Sequence, residues 1–266
     1  MYLDLSIISL LLILGFLVGI ISVICGIGGG VFFVTFMTLI FLIPIDIAID
    51  TSTFVILIAS TAGFITYYRD KRLDIRSTLI FSIFSILGSL SCMLLLQFLE
   101  INNYILKVLF ASTLLVAGLS MINKALKTKK LQKSQETPIK EFSLKSHDYK
   151  SKLNRAIPLF FLAGFIAYLL GVGGGIVNTP SLNIVLDYPI HISTATSTGM
   201  IFFTAILNTI LKTFYGKIDF IVGIIISIGS LIGSIFGAKI SNKIPKMQLQ
   251  IIVAGVLMLL AIRMYF

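Results

Sequence analysis

The sequence has no tryptophan and few charged residues. Asp, Glu, Lys and Arg together make up 12% of its 266 residues, whereas 57% are hydrophobic. Soluble domains contain about 25% charged residues. The mean hydropathy of +1.05 therefore excludes an ordinary soluble domain and indicates a polytopic, all-α membrane protein. Without Trp, anchoring at the membrane–water interfaces is left to Tyr and Phe.

Cysteine and catalytic side chains are also scarce. The two cysteines, Cys25 and Cys92, provide neither a disulfide framework nor the ligand spacing of a zinc site. The sequence contains no recognisable hydrolytic triad, phosphate-binding Gly-Lys loop or metal-ligand cluster. We therefore predict neither an enzyme nor a resident cofactor or metal.

Acidic residues are the rarer charged class, and the positive excess lies mainly in one segment. The formal net charge is +10, and residues 124–155 hold ten Lys or Arg and three acids. Basic segments beside membrane spans mark the cytoplasmic face and meet anionic lipid there. We interpret 124–155 as a basic cytoplasmic linker between two transmembrane units, 1–123 and 156–266, and do not predict nucleic-acid binding.

The two units are copies of one another. Adding 145 to a residue number in the first places it on its counterpart in the second, as the following pairs show: Gly26 and Gly171, Pro44 and Pro189, Thr51 and Thr196, Ser52 and Ser197, Gly88 and Gly233. Each copy carries five hydrophobic elements, predicted at 5–25, 31–43, 47–68, 77–99 and 104–123, and at 157–170, 176–187, 191–213, 219–240 and 247–265. The second element of each copy is short for a span and either crosses the membrane tilted or re-enters it.

Positive charge favours an inverted repeat over a parallel one. The loop after the third element of the first copy is basic, as is the loop after the fourth element of the second, with Lys239, Lys243 and Lys246. Inversion places both loops beside the linker, inside the cell. It predicts that both termini, Glu100 and Lys217 lie outside.

Two glycine clusters interrupt the hydrophobic runs at 26–30 and 171–175. Glycine weakens a helix, so we predict a broken helix in each repeat. Backbone exposed at membrane depth is tolerated only inside protein or beside a watery cavity. The next helix begins at each cluster, and its unpaired amides favour an anion. The predicted backbone contacts are Gly28, Gly29, Gly30, Gly173, Gly174 and Gly175.

Hydroxyl and amide side chains follow the clusters and complete the predicted substrate site: Thr51, Ser52, Asn178, Thr196 and Ser197. Such hydroxyls can alternatively bond to their own helix backbone. Asp50 is a candidate coupling residue, since ionisable groups in spans are functional candidates. Cys25 could place a thiol against the substrate or fill space. No Lys or Arg falls in the middle of a predicted span, so amides and hydroxyls are expected to neutralise the anion.

The Gly-x-Gly-Gly-Gly cluster in both halves, followed by Pro and a Thr-Ser pair at fixed distance, resembles the sulfite exporter TauE/SafE family of membrane permeases. The resemblance implies transport of small sulfur-containing or carboxylated anions across the bacterial inner membrane. A proline a few residues after each cluster is usual in the family. Pro180 fits that pattern, whereas the matching position in the first copy is Thr35.

We therefore expect a multi-pass permease of the inner membrane that binds a small anion, such as sulfite, thiosulfate or an organosulfonate, and carries it by alternating access. The alternatives are a passive anion channel and a non-transporting membrane subunit. Uphill transport driven by H⁺ or Na⁺ would distinguish a carrier from a channel. Direction of transport, coupling ion and a homo-oligomeric state stay open at this level.

Overall fold

The computed structural model describes residues 4–73, 75–99, 101–134, 150–241 and 246–265. These residues form ten helices and no strand: α1 (Leu5–Cys25), α2 (Gly30–Leu39), α3 (Ile45–Arg69), α4 (Ile75–Phe98), α5 (Asn103–Ser134), α6 (Lys150–Leu170), α7 (Gly175–Pro180), α8 (Ile190–Tyr215), α9 (Phe220–Ile240) and α10 (Lys246–Tyr265). Within the same ranges, seven helices are long and apolar enough to cross a membrane: α1, α3, α4, α5, α6, α8 and α9. The all-α polytopic fold is confirmed.

Both predicted helix breaks are present. α1 ends at Cys25 and α2 begins at Gly30, while α6 ends at Leu170 and α7 begins at Gly175. The ten residues of α2 reach about 15 Å, half the thickness of the hydrocarbon core. The equivalent helix of the second copy, α7, is shorter still. It has six residues and is followed by a π-helical turn over Ser181–Val185. This turn directly follows Pro180, whose ring nitrogen cannot donate a hydrogen bond.

Two helices extend into the predicted linker. α5 continues to Ser134, beyond its predicted end at 123, and α6 begins at Lys150. Ala, Leu, Lys and Gln dominate this part of α5, and all four are good helix formers. The predictions for residues 135–149, Asp74, Glu100 and Lys243 lie outside the described residues.

Two of the closest contacts between helices are related by the repeat. A Cβ atom at Gly88 would overlap the carbonyl oxygen of Phe161, and one at Gly233 would overlap that of Phe16. The two contacts are equivalent, because the two glycines differ by 145 in number and so do the two phenylalanines. Small residues permit this close approach of membrane helices. The contacts pair α4 with α6 and α1 with α9, so that each half packs its fourth helix against the first helix of the other.

Equivalent helices of the two halves run antiparallel. Asp50 near the start of α3 meets Lys212 near the end of α8, whereas Gly63 near the end of α3 lies against Thr198 in the first half of α8. α5 and α10 also cross antiparallel, with the Ser112 and Tyr265 hydroxyls 2.7 Å apart. An inverted repeat has these directions, and a parallel repeat related by an axis along the membrane normal does not. We call the end where α3 begins and α8 ends the open end, and the opposite one the closed end.

Candidate functional site

The two glycine segments, residues 26–30 and 171–175, meet in the middle of the molecule. A Cβ atom at Gly173 would lie 3.5 Å from the Cα atom of Gly28, and one at Gly30 would overlap the carbonyl oxygen of Gly171. Gly28 and Gly173 have φ angles of 94° and 76°. Side-chain-bearing residues rarely adopt such angles, so glycine is required here both for the turn and for the close approach.

Two equivalent serines join the halves at these segments. Ser52 Oγ donates to the carbonyl oxygen of Gly171 at 2.8 Å, and Ser197 Oγ donates to that of Gly26 at 3.0 Å. The Gly26 carbonyl also accepts from Thr179 Oγ1 at 2.7 Å. These carbonyls lie where a helix ends and would otherwise lack partners. Ser52 and Ser197 therefore satisfy the backbone of the opposite half, which neither sequence-based alternative predicted. Ser52 Oγ also donates to the Ile49 carbonyl of its own helix at 2.8 Å, as the backbone-bonding alternative predicted.

The remaining predicted polar residues, together with Asn208 of α8, divide into satisfied and unsatisfied groups. Thr51 Oγ1 accepts the backbone N–H of Asp219 at 2.9 Å. Thr196 Oγ1, Asn178 Oδ1 and Asn208 Oδ1 are buried and have no hydrogen-bond partner among the described residues. A buried polar atom without a partner costs about 1–3 kcal/mol. Such atoms beside the glycine segments are the groups here that still have capacity to bind a ligand.

Cys25 borders a small cavity at the glycine segments. The cavity has a volume of about 30 Å³, and Gly175, Thr179 and Pro180 also line it. The Cys25 side chain is 7% exposed. The thiol therefore lies next to the predicted site, and its contact with a substrate stays a prediction.

A larger cavity of about 600 Å³ enters the molecule from the open end. Ile49 and Leu169 line it, and Ile49 packs against Gly171 through its carbonyl group. Met93, Leu96 and Gln97 of α4 line it as well. The cavity therefore leads from the open end to the edge of the second glycine segment.

Lys212 is the residue of this cavity that the sequence analysis missed. Its side chain is 3% exposed, and Nζ lies 2.9 Å from Asp50 Oδ1 and 5.1 Å from the centre of the Tyr168 ring. α8 thus buries an ammonium group beside the cavity, in addition to the predicted amides and hydroxyls. The neutralisation of an anion by amides and hydroxyls stays a prediction. The sequence places Lys212 in the last turn of a predicted span, where a lysine usually reaches the interface.

A second ion pair lies further out at the open end. Lys217 Nζ contacts Asp46 Oδ2 at 3.1 Å, and the Lys217 side chain is 73% exposed. The backbone N–H of Lys217 donates to Asp50 Oδ2 at 2.9 Å. The mouth of the cavity thus carries an exposed lysine, and the buried one lies further in.

Aromatic and basic side chains seal the closed end. Tyr67 Oη donates to the carbonyl oxygen of Val23 at 2.9 Å, which ties the end of α3 to the end of α1. The Arg72 guanidinium lies 5.5 Å from the centre of the Tyr67 ring and donates to Ser241 Oγ at 2.8 Å. A groove of about 420 Å³ between α3 and α9 also reaches Arg69 and Asp70 at this end, but no residue of the glycine segments lines it. Among the described residues, a large cavity therefore approaches the glycine segments from the open end alone.

Seven apolar spans, two interrupted helices and a one-sided cavity define a multi-pass membrane protein with an internal polar site. The chain belongs to the sulfite exporter TauE/SafE family, whose model matches residues 11–264. A probable membrane transporter protein of Methanocaldococcus jannaschii is 30% identical over 95% of this chain and 93% of its own length. Two from Bacillus subtilis are 25% and 28% identical, covering 97% and 91% of this chain and 97% and 93% of their own lengths.

No solved structure gives a significant match. The family and these relatives identify the chain as a membrane transporter and not as an enzyme. A transporter of this family is embedded in lipid and carries a small molecule. The resemblance inferred from the glycine clusters is confirmed.

Proposed function

We propose that the protein is a secondary transporter for a small sulfur-containing or carboxylated anion, which it moves across the inner membrane by alternating access. The observation that carries this proposal is the cavity of about 600 Å³, which runs from the open end to the edge of the second glycine segment and has the ammonium group of Lys212 in its wall. A buried cation in a cavity among membrane helices attracts an anion.

One-sided access and the exchanged contacts support alternating access. A carrier that is open at one end and sealed at the other is in one of the two states that the mechanism needs. In an inverted repeat, exchange of the conformations of the two halves generates the other state. The antiparallel directions of α3 and α8, and of α5 and α10, favour this inverted arrangement.

The substrate class follows from the chemistry of the site and from the family. The family is described as sulfite exporters, and sulfite, sulfonates and carboxylates all present oxygen atoms that accept hydrogen bonds. Thr196 Oγ1 is a buried hydroxyl without a partner among the described residues, and it can donate to an oxyanion. Asn178 would donate from its Nδ2 group, because its buried Oδ1 can only accept. A small rearrangement of the glycine segments would bring the Asn178 amide and the Thr196 hydroxyl, together with the backbone amides, to an oxyanion.

A pair of isosteric substitutions tests the central site. Thr196→Val removes a hydroxyl whose oxygen has no partner among the described residues, so the thermal stability should be unchanged or raised. Thr198→Val is the matched control, because Thr198 Oγ1 only donates to the carbonyl of Thr194 in its own helix. Uptake of sulfite, thiosulfate, sulfoacetate and acetate into proteoliposomes should fall in Thr196→Val and persist in Thr198→Val. Equal uptake by both variants and the wild type would remove Thr196 from the site.

A further inference from the structure

Lys212 and Asp50 form an ion pair that the packing of the two halves does not require. The residues equivalent to Lys212, Asp50 and Tyr168 in the other half are Tyr67, Ala195 and Val23. At that end a neutral hydrogen bond from Tyr67 to the Val23 carbonyl makes the corresponding contact between helices. The same fold thus makes this contact at its other end without a lysine–carboxylate pair, and the neighbouring Arg72 pairs with the exposed Asp70 instead. Burying a charged pair is costly, so the Lys212–Asp50 pair needs another reason.

The pair is open to the cavity rather than enclosed. Asp50 and Lys212 both line the cavity of about 600 Å³, and the Asp50 side chain is 17% exposed. Lys212 Nζ lies 2.9 Å from Asp50 Oδ1, which is the distance of a charge-assisted hydrogen bond. An ammonium group has three hydrogen-bond donors, so the remaining donors can serve a second acceptor.

We infer that Lys212 is the counter-charge for the transported anion, that Asp50 occupies this cation in the empty carrier, and that Asp50 takes up a proton from cavity water when the anion binds. The reason is charge balance: one ammonium group neutralises one carboxylate, and an added anion leaves an excess negative charge among membrane helices. Protonation of Asp50 restores neutrality. The substrate class is accordingly a singly charged carboxylate or sulfonate, and the coupling ion is H⁺.

Several other groups surround Asp50 and bear on its protonation. They come from every side of the cavity: Asp46 on α3, Cys92 on α4, Tyr168 on α6, Tyr215 on α8, and Lys217 and Asp219 after it. Lys217 is paired with Asp46 and is exposed, so its charge is screened by solvent. An anion that binds to Lys212 therefore changes the charge around Asp50 more than one that binds to Lys217.

Binding of methanesulfonate tests this role, because its charge does not change with pH. In calorimetry of purified wild-type protein, binding should tighten as the pH falls. Lys212→Met should weaken it about tenfold or more, whereas Lys217→Met, the matched lysine at the mouth, should change it by less than about twofold. Asp50→Asn should bind as tightly as the wild type or more tightly, without pH dependence.

The opposite effects of Lys212→Met and Asp50→Asn distinguish a binding site from a structural ion pair. If the ion pair were only structural, both variants would lose binding equally. That result would overturn the inference. The double variant Asp50→Asn/Lys212→Met leaves no unpaired charge and should fold normally but bind weakly. If it binds like the wild type, Lys212 is not the counter-charge.

The role of Lys212 rests on the proposed anion transport, yet the two can fail separately. If wild-type and Lys212→Met proteoliposomes take up equal amounts of methanesulfonate or sulfoacetate, the transport function stands and Lys212 has no role in it. Lysine-dependent binding without any flux would retain the site and remove the transport function. Neither binding nor flux with the whole panel would contradict both.

Discussion

At the scale of single residues, hydroxyl groups hold the glycine segments together, and their loss should be uneven. Ser52→Ala leaves the Gly171 carbonyl without the donor that it has among the described residues, which costs about 1–3 kcal/mol. Ser197→Ala should cost less, because Thr179 still donates to the Gly26 carbonyl. We expect thermal unfolding in detergent to show a larger fall in Tm for Ser52→Ala than for Ser197→Ala.

Ser82→Ala is the control for both serine variants. Ser82 is also buried, but its hydroxyl donates to the Thr78 carbonyl in its own helix, so its removal leaves the contacts between the halves intact. Its Tm should stay near that of the wild type. Equal falls for Ser52→Ala and Ser82→Ala would mean that the contact between the halves adds no stability.

The sequence could identify most residues around the glycine segments, but not which atoms they contact. The fixed offset of 145 residues indicates that Ser52 and Ser197 have related positions, as the exchanged hydrogen bonds bear out. A repeat carries no information on whether a hydroxyl meets a carbonyl or a ligand. Lys212 was missed because it breaks the repeat, with Tyr67 in the equivalent position, and because its burial depends on the packing of α3, α6 and α8.

At the scale of elements, the start of α2 depends on glycine for its packing. Gly30→Ala places a methyl group on the carbonyl oxygen of Gly171 and within 2.8 Å of Val172 Cα, and backbone atoms cannot move away cheaply. Such overpacking costs about 1–3 kcal/mol. We expect a lower Tm and a lower yield of monodisperse protein.

A helical glycine with free space provides the comparison. Nothing lies within 4 Å of a Cβ atom at Gly255 in α10, so Gly255→Ala should be neutral or stabilise the protein by up to about 1 kcal/mol. Both variants introduce the same methyl group. Similar thermal curves for the two would contradict the close contact between the glycine segments.

Helix positions followed from the sequence because long apolar runs and glycine breaks are local signals. α1 has the predicted bounds of 5–25, and most other helices differ by one or two residues at each end. α5 and α6 are exceptions because they extend beyond the apolar run, where helix propensity rather than hydropathy decides their ends. α2 is another exception, since it ends at Leu39, four residues before its predicted end at 43. The interruption after α7 also escaped detection, because a π-helical turn has no hydrophobic period of its own.

At the scale of the whole molecule, the inverted arrangement predicts which side each end of the bundle faces. In a background of Cys25→Ala and Cys92→Ala, a cysteine at Lys217 marks the open end and one at Arg69 the closed end; both positions are exposed. A membrane-impermeant thiol reagent should label Lys217→Cys in intact cells and Arg69→Cys only after lysis, since basic loops stay inside. The reverse pattern would overturn the predicted topology.

Counterflow tests most directly whether the protein is a carrier with a single site that faces each side in turn. Proteoliposomes are loaded with unlabelled methanesulfonate and diluted into a trace of labelled methanesulfonate, with sulfite and acetate as parallel substrates. An alternating-access carrier predicts a transient accumulation of label above its external concentration, lost with Thr196→Val and Lys212→Met. Label that only rises to equilibrium would indicate a channel, and no protein-dependent uptake of any of the three anions would contradict the transport function.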